Sequence, residues 1–368
     1  NFKCFQAQEL TSRPLTVLSG VNGAGKSTII QALLLMRTAL QQHVQGMKEL
    51  PLNGPHGLAL GQVMDILPHN MENVPVVLGL SQEASDLQIT LTGQSPGARY
   101  LGMDVIEQGD FSTSPMHGKG FEWFTFLSAN RTGPQDYQPM QSTSPEFLEM
   151  GENGQFVAEI LEAMGQKRVD PRRSHTNNPD GLFHVQVGHW LNQLLPGWAV
   201  KVERSPNFDV LGLRFKKQQH FGDEWLRPTN TGFGITYAFP ILVAALAMQA
   251  GGVLIIDSPE AHLHPAGQSA MGQFLAHMAA GGVQIFLETH SDHIINGIRL
   301  AVLDDRHPLQ KEQLIIHHLE NTPDGTVVHE IGINERGGLT QHPADFFDQA
   351  EKDLANIVRR RFPTQGNN

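Results

Sequence analysis

The chain of 368 residues has a single cysteine, Cys4, and lacks any apolar stretch long enough to cross a bilayer. One cysteine excludes a disulfide framework within the chain and a cysteine-based zinc cluster, and it suits a reducing compartment. The longest apolar stretch, 238–248, is far shorter than the roughly 20 residues of a membrane helix, and no signal-like segment opens the chain. These absences predict a cytoplasmic protein with no membrane association.

Positive charge is also scarce, because 26 lysines and arginines stand against 37 aspartates and glutamates, for a net charge of −11. Such a balance exerts no global attraction on nucleic acid, so any DNA contact requires a local patch or a partner. The densest basic run before the C-terminus, 167–175, is interpreted as a solvated loop. The alternative for this run is a contact with nucleic acid or with a partner.

The first motif that indicates chemistry is a glycine-rich turn between a predicted strand at 15–18 and a predicted helix at 28–44. It has the spacing G-x-x-x-x-G-K-[ST], in which backbone N–H groups and the start of a helix surround phosphates. We expect Lys26 to neutralise phosphate charge and Ser27 to place a hydroxyl on Mg²⁺. The alternative is a strand-to-helix turn without a ligand. The residues expected to bind the nucleotide here are Asn22, Gly23, Ala24, Gly25, Lys26, Ser27 and Thr28.

The order of the predicted elements indicates an α/β nucleotide-binding core interrupted by a large insertion. Short β-branched or aromatic runs at 74–80, 87–92 and 121–127 predict an antiparallel sheet beside the core, and 146–164 predicts a helix with glycine breaks. We therefore expect an N-terminal part of the core at 1–45, an inserted β and helical subdomain at 46–205, a C-terminal part of the core at 206–335, and a C-terminal helix and tail at 336–368.

Two further predicted strands end in polar residues, as strands do where α/β sheets bind ligands. The apolar run 252–257 ends in Asp257, and the run 283–290 ends in His290. A nucleotide hydrolase needs a metal-holding carboxylate, a group that orients water, and positive or dipolar groups at the γ-phosphate. We expect Asp257 to hold Mg²⁺ through water, Glu260 or a neighbour to orient the attacking water, and His290 to reach the γ-phosphate.

The P-loop, the string DSPEAHLHP at 257–265 and the string ETHSDH at 288–293 together resemble the ABC-type ATPase family. The likeness is to the branch that includes SMC, RecF and the overcoming-lysogenization-defect proteins, and to stand-alone ATPases of bacterial operons that include phage-defence systems. It covers residues 1–40 and 225–300 strongly and 128–134 weakly. The resemblance implies a P-loop NTPase head of ABC type, with a mixed or parallel sheet, an antiparallel β subdomain and an inserted helical subdomain.

The resemblance also implies contact residues outside the P-loop. A signature segment at 230–236, with Thr231, Gly232 and Gly234, would contact the γ-phosphate that is bound by a second subunit. Gln62 would be the glutamine that senses metal and phosphate, although a loop glutamine with no role is nearly as consistent with the sequence.

The expected Mg²⁺ ligands are therefore Ser27, Asp257 and Gln62. The sequence departs from the family at Ser258, where the family has its water-activating glutamate directly after the aspartate. Hydrolysis is accordingly expected to be slow, with Glu260 as the substitute base or as a structural carboxylate.

The histidine-rich strings have a second interpretation as a transition-metal cluster, which we consider the minority one. The leading functional hypothesis is an ATPase that uses ATP and Mg²⁺, works as a homodimer or a higher even-numbered oligomer, and switches a separate effector such as a nuclease in anti-phage defence. The alternative is a RecF- or SMC-like repair ATPase that clamps DNA, although no heptads indicate long SMC arms. A transporter ATPase is a third, less favoured hypothesis. The residues of the alternative transition-metal cluster are His262, His264, His290, Asp292 and His293.

Overall fold

The computed structural model describes residues 1–67, 74–82, 85–111, 114–178, 181–217, 224–304, 309–323, 325–343, 346–347 and 349–361. Its strands are β1 (Leu15–Gly20), β2 (Glu49–Pro51), β3 (Val76–Gln82), β4 (Ser85–Gly93), β5 (Tyr100–Gln108), β6 (Phe124–Leu127), β7 (Gln138–Pro139), β8 (Trp198–Arg204), β9 (Val210–Lys217), β10 (Val253–Asp257), β11 (Gln284–Glu288), β12 (Leu314–Thr322) and β13 (Gly325–Ile331). Its α-helices are α1 (Lys26–Val44), α2 (Val63–Ile66), α3 (Val157–Met164), α4 (Phe183–Leu194), α5 (Phe233–Ala247), α6 (Pro265–Ala280), α7 (Asp292–Val302) and α8 (Gln349–Arg361).

A six-stranded sheet forms the centre of the protein, in the order β13-β12-β1-β11-β10-β6. Every neighbouring pair is parallel except β12 and β13, which form an antiparallel hairpin. Strands of a parallel sheet are covered on both faces, which explains why β1, β10 and β11 are continuous apolar runs.

Side chains alternate across this sheet and feed two separate cores. Leu254 and Ile256 of β10 face the helical layer of α3 to α7. Val253 and Ile255 face the other way, toward α1 and the antiparallel strands. The protein is therefore layered, with helices on one face of the central sheet and a helix plus a second sheet on the other.

The second sheet is antiparallel, in the order β2-β5-β4-β3, and a three-stranded antiparallel sheet β7-β9-β8 lies elsewhere in the insertion. The expected antiparallel sheet is confirmed for the runs at 74–80 and 87–92. It is wrong for 121–127, because β6 pairs parallel with β10 at the edge of the central sheet. A four-residue strand can belong to either sheet, and only the return path of the chain decides which.

The predicted helix at 146–164 is also shorter than expected. The helix α3 covers only Val157–Met164, and a short 3₁₀ turn at Pro145–Phe147 precedes it. Gly151 and Gly154 have φ angles of 75° and 70°, the left-handed region that ends helices. The glycine breaks are thus confirmed, and they stop the helix from extending toward its N-terminal side.

The basic run at 167–175 is only partly solvated. Arg172 is exposed and forms an ion pair with Asp170. Arg173 is buried and donates hydrogen bonds to the carbonyl oxygens of Ala245 and Leu246 near the end of α5. Arg173 therefore serves packing within the chain, which removes it from any charged surface.

Helices α6 and α7 pack with their backbones unusually close, and this contact fixes where α7 begins. A Cβ placed at Gly272 would lie 2.3 Å from the carbonyl oxygen of Ile294, and one at Gly297 would lie 2.1 Å from that of Ser269. Glycine is required at both positions. Among the residues described, no helix combines the length and the apolar character needed to cross a membrane.

Candidate nucleotide-binding site

Three neighbouring strands end at one edge of the central sheet. Because β1, β11 and β10 are parallel and adjacent, Leu18 pairs with Glu288, and Glu288 pairs with Asp257. The turn after β1 is the P-loop, so the phosphate-binding turn and two carboxylates share this edge. It is the position at which open α/β sheets bind their ligands.

The P-loop depends on glycines in left-handed or extended positive-φ conformations. Gly23 and Gly25 have φ angles of 79° and 101°. A Cβ at Gly25 would lie 2.7 Å from Cys4 Sγ and 2.9 Å from the ring of Phe5, because residues 2–5 pack against the turn. The turn is therefore held from outside by the N-terminal segment. Within the turn, the backbone N–H of Ala24 donates to the carbonyl oxygen of Val21 at 3.3 Å.

Lys26, the first residue of α1, is only 3% exposed although it carries a charge. Its Nζ donates to the carbonyl oxygens of Gly20 and Val21, both at 3.0 Å, and lies 3.8 Å from Glu288 Oε1. Burial lowers the pKa of Lys26, and the charges of Glu288 and Asp257 oppose that shift. The lysine is thus held inside the turn that the sequence predicts to surround phosphates.

Glu288 is a site residue that the sequence reasoning missed. Its carboxylate accepts a hydrogen bond from Ser27 Oγ at 3.2 Å and is almost fully buried. Burial, together with the charge of Asp257, raises its pKa to about 7, while Lys26 acts in the opposite direction. The available signal was that Glu288, like Asp257, is a carboxylate at the end of a buried strand.

Asp257 and Ser258 form one hydrogen-bonded unit at the end of β10. Ser258 has a φ angle of 50°, and its Oγ donates to Asp257 Oδ1 at 2.7 Å. Its backbone N–H donates to the carbonyl oxygen of Glu288 at 2.9 Å. The serine hydroxyl is therefore hydrogen-bonded to the carboxylate that we expect to hold Mg²⁺.

Glu260 and His290 are brought together, through a hydrogen bond from the His290 backbone. Glu260 Oε1 accepts from the backbone N–H of His290 at 2.7 Å, and Oε2 accepts from Thr289 Oγ1 at 2.8 Å. The His290 ring is partly exposed, with Nε2 4.0 Å from Glu288 Oε1. Burial and the charge of Lys26 lower the pKa of His290. The catalytic role expected for Glu260 stays a prediction.

Arg131 is a second residue that the sequence reasoning did not assign. Its guanidinium is 2% exposed and donates to the carbonyl oxygens of Asp257 at 2.7 Å and Ser258 at 2.6 Å. It also lies over the ring of Tyr237, 5.6 Å from the centroid. Burial lowers its pKa to about 10. Arg131 thereby fastens the end of β10 to the helix that follows the signature segment.

The signature segment lies at the start of α5, where Asn230, Gly232 and Phe233 are exposed and Ile235 and Thr236 are buried. Gly232 is the N-cap residue of α5, and a Cβ added there would meet nothing within 4 Å. Gly234 is closely packed instead, since its added Cβ would lie 2.8 Å from the carbonyl oxygen of His262. Thr231 Oγ1 donates to the carbonyl oxygen of Pro228 at 2.7 Å. The contacts of these residues with a second subunit stay a prediction.

Gln62 forms the N-cap of the short helix α2. Its backbone N–H donates to Asp65 Oδ2 at 2.8 Å, which completes a capping box with the side chain of Gln62. The last residue of that helix, Ile66, accepts from the backbone N–H of Lys3, next to the segment that packs on the P-loop. The predicted sensing role of Gln62 is not tested by these contacts.

The remaining histidines of the two strings have contacts of their own. The ring of His262 packs against Tyr237, with centroids 4.3 Å apart. His264 caps α6 by accepting from the backbone N–H of Ala266, and His293 lies 3.7 Å from Asp292 at the surface. In the part of the chain that the structure describes, no group of three or more His, Cys, Asp or Glu side chains could hold a metal ion.

The sequence comparison decides the family. Residues 15–296 match the model described as "AAA domain, putative AbiEii toxin, Type IV TA system". The chain belongs to this family. Residues 309–357 of the AAA-family chain also match a model described as "Protein of unknown function (DUF3696)". The ATPase relationship inferred from the P-loop and the two strings is confirmed, and so is the expected P-loop α/β fold. No curated protein matches this AAA-family chain in sequence.

Solved structures of SMC heads resemble the AAA-family chain in part. An SMC head bound to the C-winged helix domain of ScpA is 12% identical, with 88% of this chain and 91% of that chain covered and a TM-score of 0.47. The SMC head of Thermotoga maritima is 11% identical, with 89% and 95% covered and a TM-score of 0.44. A Pyrococcus furiosus SMC head bound to the C-terminal domain of ScpA is 12% identical, with 94% and 93% covered and a TM-score of 0.46. Likenesses of this strength carry no functional argument.

Proposed function

We propose that the protein binds and hydrolyses ATP, and that two copies close on two ATP molecules to switch a separate effector. The observation that carries this proposal is the buried lysine of the P-loop. Lys26 lies inside a turn of backbone amides at the start of α1, beside Ser27 and opposite the carboxylates of Asp257 and Glu288. A lysine costs free energy when it is buried, and the phosphates of a nucleotide would compensate that cost.

The donor set at this edge fits a magnesium ion. Ser27 and Asp257 offer hydroxyl and carboxylate oxygens, which are the hard ligands that Mg²⁺ prefers, and water completes such sites. Magnesium, when bound, would neutralise charge on the β- and γ-phosphates. His290 lies at the same edge and would donate a hydrogen bond to the γ-phosphate. Gln62 would sense the metal and the γ-phosphate.

Exposure of the signature segment supports the dimeric part of the proposal. Gly232 has open space around it, and Phe233 beside it is 53% exposed at the start of α5. A helix start is a good site for an anion, so the nucleotide of a second copy would be a suitable occupant. The family description names a putative toxin and a toxin–antitoxin system, which supports a role in defence.

The test is Lys26→Ala, with Lys201→Ala as the matched control because Lys201 lies at the surface of β8. Isothermal titration with a non-hydrolysable ATP analogue and Mg²⁺ should show binding to the parent and to the control. It should show none to Lys26→Ala, because the P-loop keeps its amides but loses its full positive charge. Unchanged affinity in Lys26→Ala would remove the assignment of the P-loop.

A DNA-clamping ATPase is distinguished from the switch by binding to DNA without any partner. Phosphate contacts release counterions, so a clamp should bind DNA with a steep salt dependence. The net charge of −11 favours the switch.

Light scattering with ATP and Mg²⁺ should show an ATP-dependent dimer or a higher even-numbered oligomer. A fully active monomer would contradict the proposal that two copies close on two ATP molecules.

A further inference from the structure

A carboxylate that orients the attacking water is missing from its usual place. The residue after Asp257 is Ser258, and its hydroxyl already donates to Asp257 Oδ1 at 2.7 Å. A serine hydroxyl is also far too weak a base at neutral pH to replace a carboxylate. Since the proposed function includes hydrolysis, another group at this edge of the sheet must orient the water.

Glu260, the carboxylate expected from the sequence, points to the turn that follows β11. One of its oxygens accepts from Thr289 Oγ1 and the other from the backbone N–H of His290. Both bonds are short, at 2.8 Å and 2.7 Å, and together they hold the end of β11 to the loop after β10. A carboxylate with both oxygens engaged in this way positions His290 and has little freedom to orient a water.

Glu288 lies beside the position that lacks the carboxylate. It pairs in register with Asp257 across neighbouring strands, and its backbone carbonyl accepts from the N–H of Ser258. Its side chain reaches Ser27 Oγ at 3.2 Å, Lys26 Nζ at 3.8 Å and His290 Nε2 at 4.0 Å. Ser27 is the proposed Mg²⁺ ligand, Lys26 is proposed to neutralise phosphate charge, and His290 is proposed to donate to the γ-phosphate.

From this geometry we infer that Glu288 is the catalytic carboxylate that orients the attacking water, supplied from β11 instead of from the position of Ser258. The inference rests on the proposed ATP hydrolysis at this site. A bound phosphate and metal would engage Lys26 and Ser27, and the Glu288 carboxylate that these two residues contact would then be available to the water.

The step itself is a transfer of the γ-phosphoryl group to water. The water oxygen forms a bond to the γ-phosphorus while the bond from that phosphorus to the bridging oxygen breaks, and ADP leaves with the electron pair. Both hydrogens of the water leave on the released phosphate, which then ionises in solvent. Glu288 accepts a hydrogen bond from the water throughout and so fixes its position in line with the leaving group.

The experiment compares single-turnover hydrolysis in the parent, Glu288→Gln, Glu260→Gln and Glu312→Gln, where Glu312 is an exposed glutamate that serves as the control. Glutamine keeps the shape of the side chain and removes its charge. We expect Glu288→Gln to keep the affinity for a non-hydrolysable ATP analogue within about tenfold and to lower the hydrolysis rate by about 10²-fold or more. A second change, Ser258→Glu in the Glu288→Gln background, should restore much of the rate.

A readout that does not need turnover is the affinity for ADP with aluminium fluoride, which mimics the transition state with its in-line water, compared with ADP and beryllium fluoride, which mimics bound ATP. Glu288→Gln should weaken the first complex and leave the second unchanged, because only the first includes the oriented water. Equal affinities of the parent and Glu288→Gln for ADP with aluminium fluoride would overturn the inference. So would parental turnover in Glu288→Gln, whatever the turnover of Glu260→Gln, because Glu260 holds His290 in place. Parental ATP binding by Lys26→Ala would refute the proposed function itself, so the two failures are distinguishable.

Discussion

Replacing Arg131 with methionine should loosen the end of β10, and the structure sets the size of the effect. The guanidinium donates three hydrogen bonds, to the carbonyl oxygens of Ser128, Asp257 and Ser258, at 2.8, 2.7 and 2.6 Å. Bonds from a charged donor contribute about 1.5–3 kcal/mol each, so the three give roughly 5–9 kcal/mol. Burial opposes this, and the fall of the arginine pKa to about 10 corresponds to about 3 kcal/mol.

The difference predicts that Arg131→Met lowers the free energy of unfolding by about 2–6 kcal/mol, which overlaps the roughly 3–5 kcal/mol for breaking a buried charged contact. Methionine keeps apolar contact with Tyr237, so lost hydrogen bonds dominate. Urea unfolding would measure the loss, with the exposed Arg336→Met as control. Turnover should fall as well, because the backbone that carries Asp257 is no longer held. A variant as stable as the parent would refute this account of the loop.

Three further predictions follow from the glycines and from Glu288. Gly232→Asp should keep the fold and ATP binding, because its side chain enters open space at an N-cap. It should abolish ATP-induced assembly, because the added carboxylate repels the phosphate bound by the partner. Gly232→Asn is the neutral control, and ATP-induced assembly of both variants in light scattering would contradict the dimer model. Gly297→Ala should cost about 1–3 kcal/mol of stability or more by forcing α7 away from α6. Gly188→Ala in α4, where an added Cβ would meet nothing within 4 Å, should stabilise the protein by about 0.5–1 kcal/mol. Equal melting temperatures of the two variants would contradict the close packing of α6 and α7. Burial raises the folded-state pKa of the Glu288 carboxyl from 4.5 to about 7, so the free energy of unfolding of the parent should fall as pH rises between these two values. In urea unfolding without nucleotide, Glu288→Gln should gain up to about 3 kcal/mol relative to the parent between about pH 4.5 and pH 8. A pH-independent difference would contradict the buried carboxylate.

The parts of the fold that could be predicted are those written in local sequence. The P-loop needs glycines and a lysine at fixed spacing, and the continuous apolar runs that end in Asp257 and Glu288 indicate buried parallel strands. These signals place the candidate nucleotide site without any knowledge of how distant segments meet.

The missed features depend on contacts between segments far apart in the chain. Arg131 reaches Asp257 across 126 positions, and β6 joins the central sheet instead of the antiparallel sheet. Glu288 is the first residue of the string ETHSDH at 288–293, but its closeness to Ser27 follows from the order of strands, which places β11 between β1 and β10. Local patterns carry no information on that order.

The packing of the N-terminal segment on the P-loop has a practical consequence. Cys4 is exposed, its Sγ lies 3.8 Å from Thr28 Oγ1 in the first turn of α1, and the chain contains no second thiol. A thiol-reactive fluorophore would therefore attach at one defined point beside the phosphate-binding turn, without removal of other cysteines. Changes in its emission would follow nucleotide arrival and release in real time, in a chain that is otherwise unmodified.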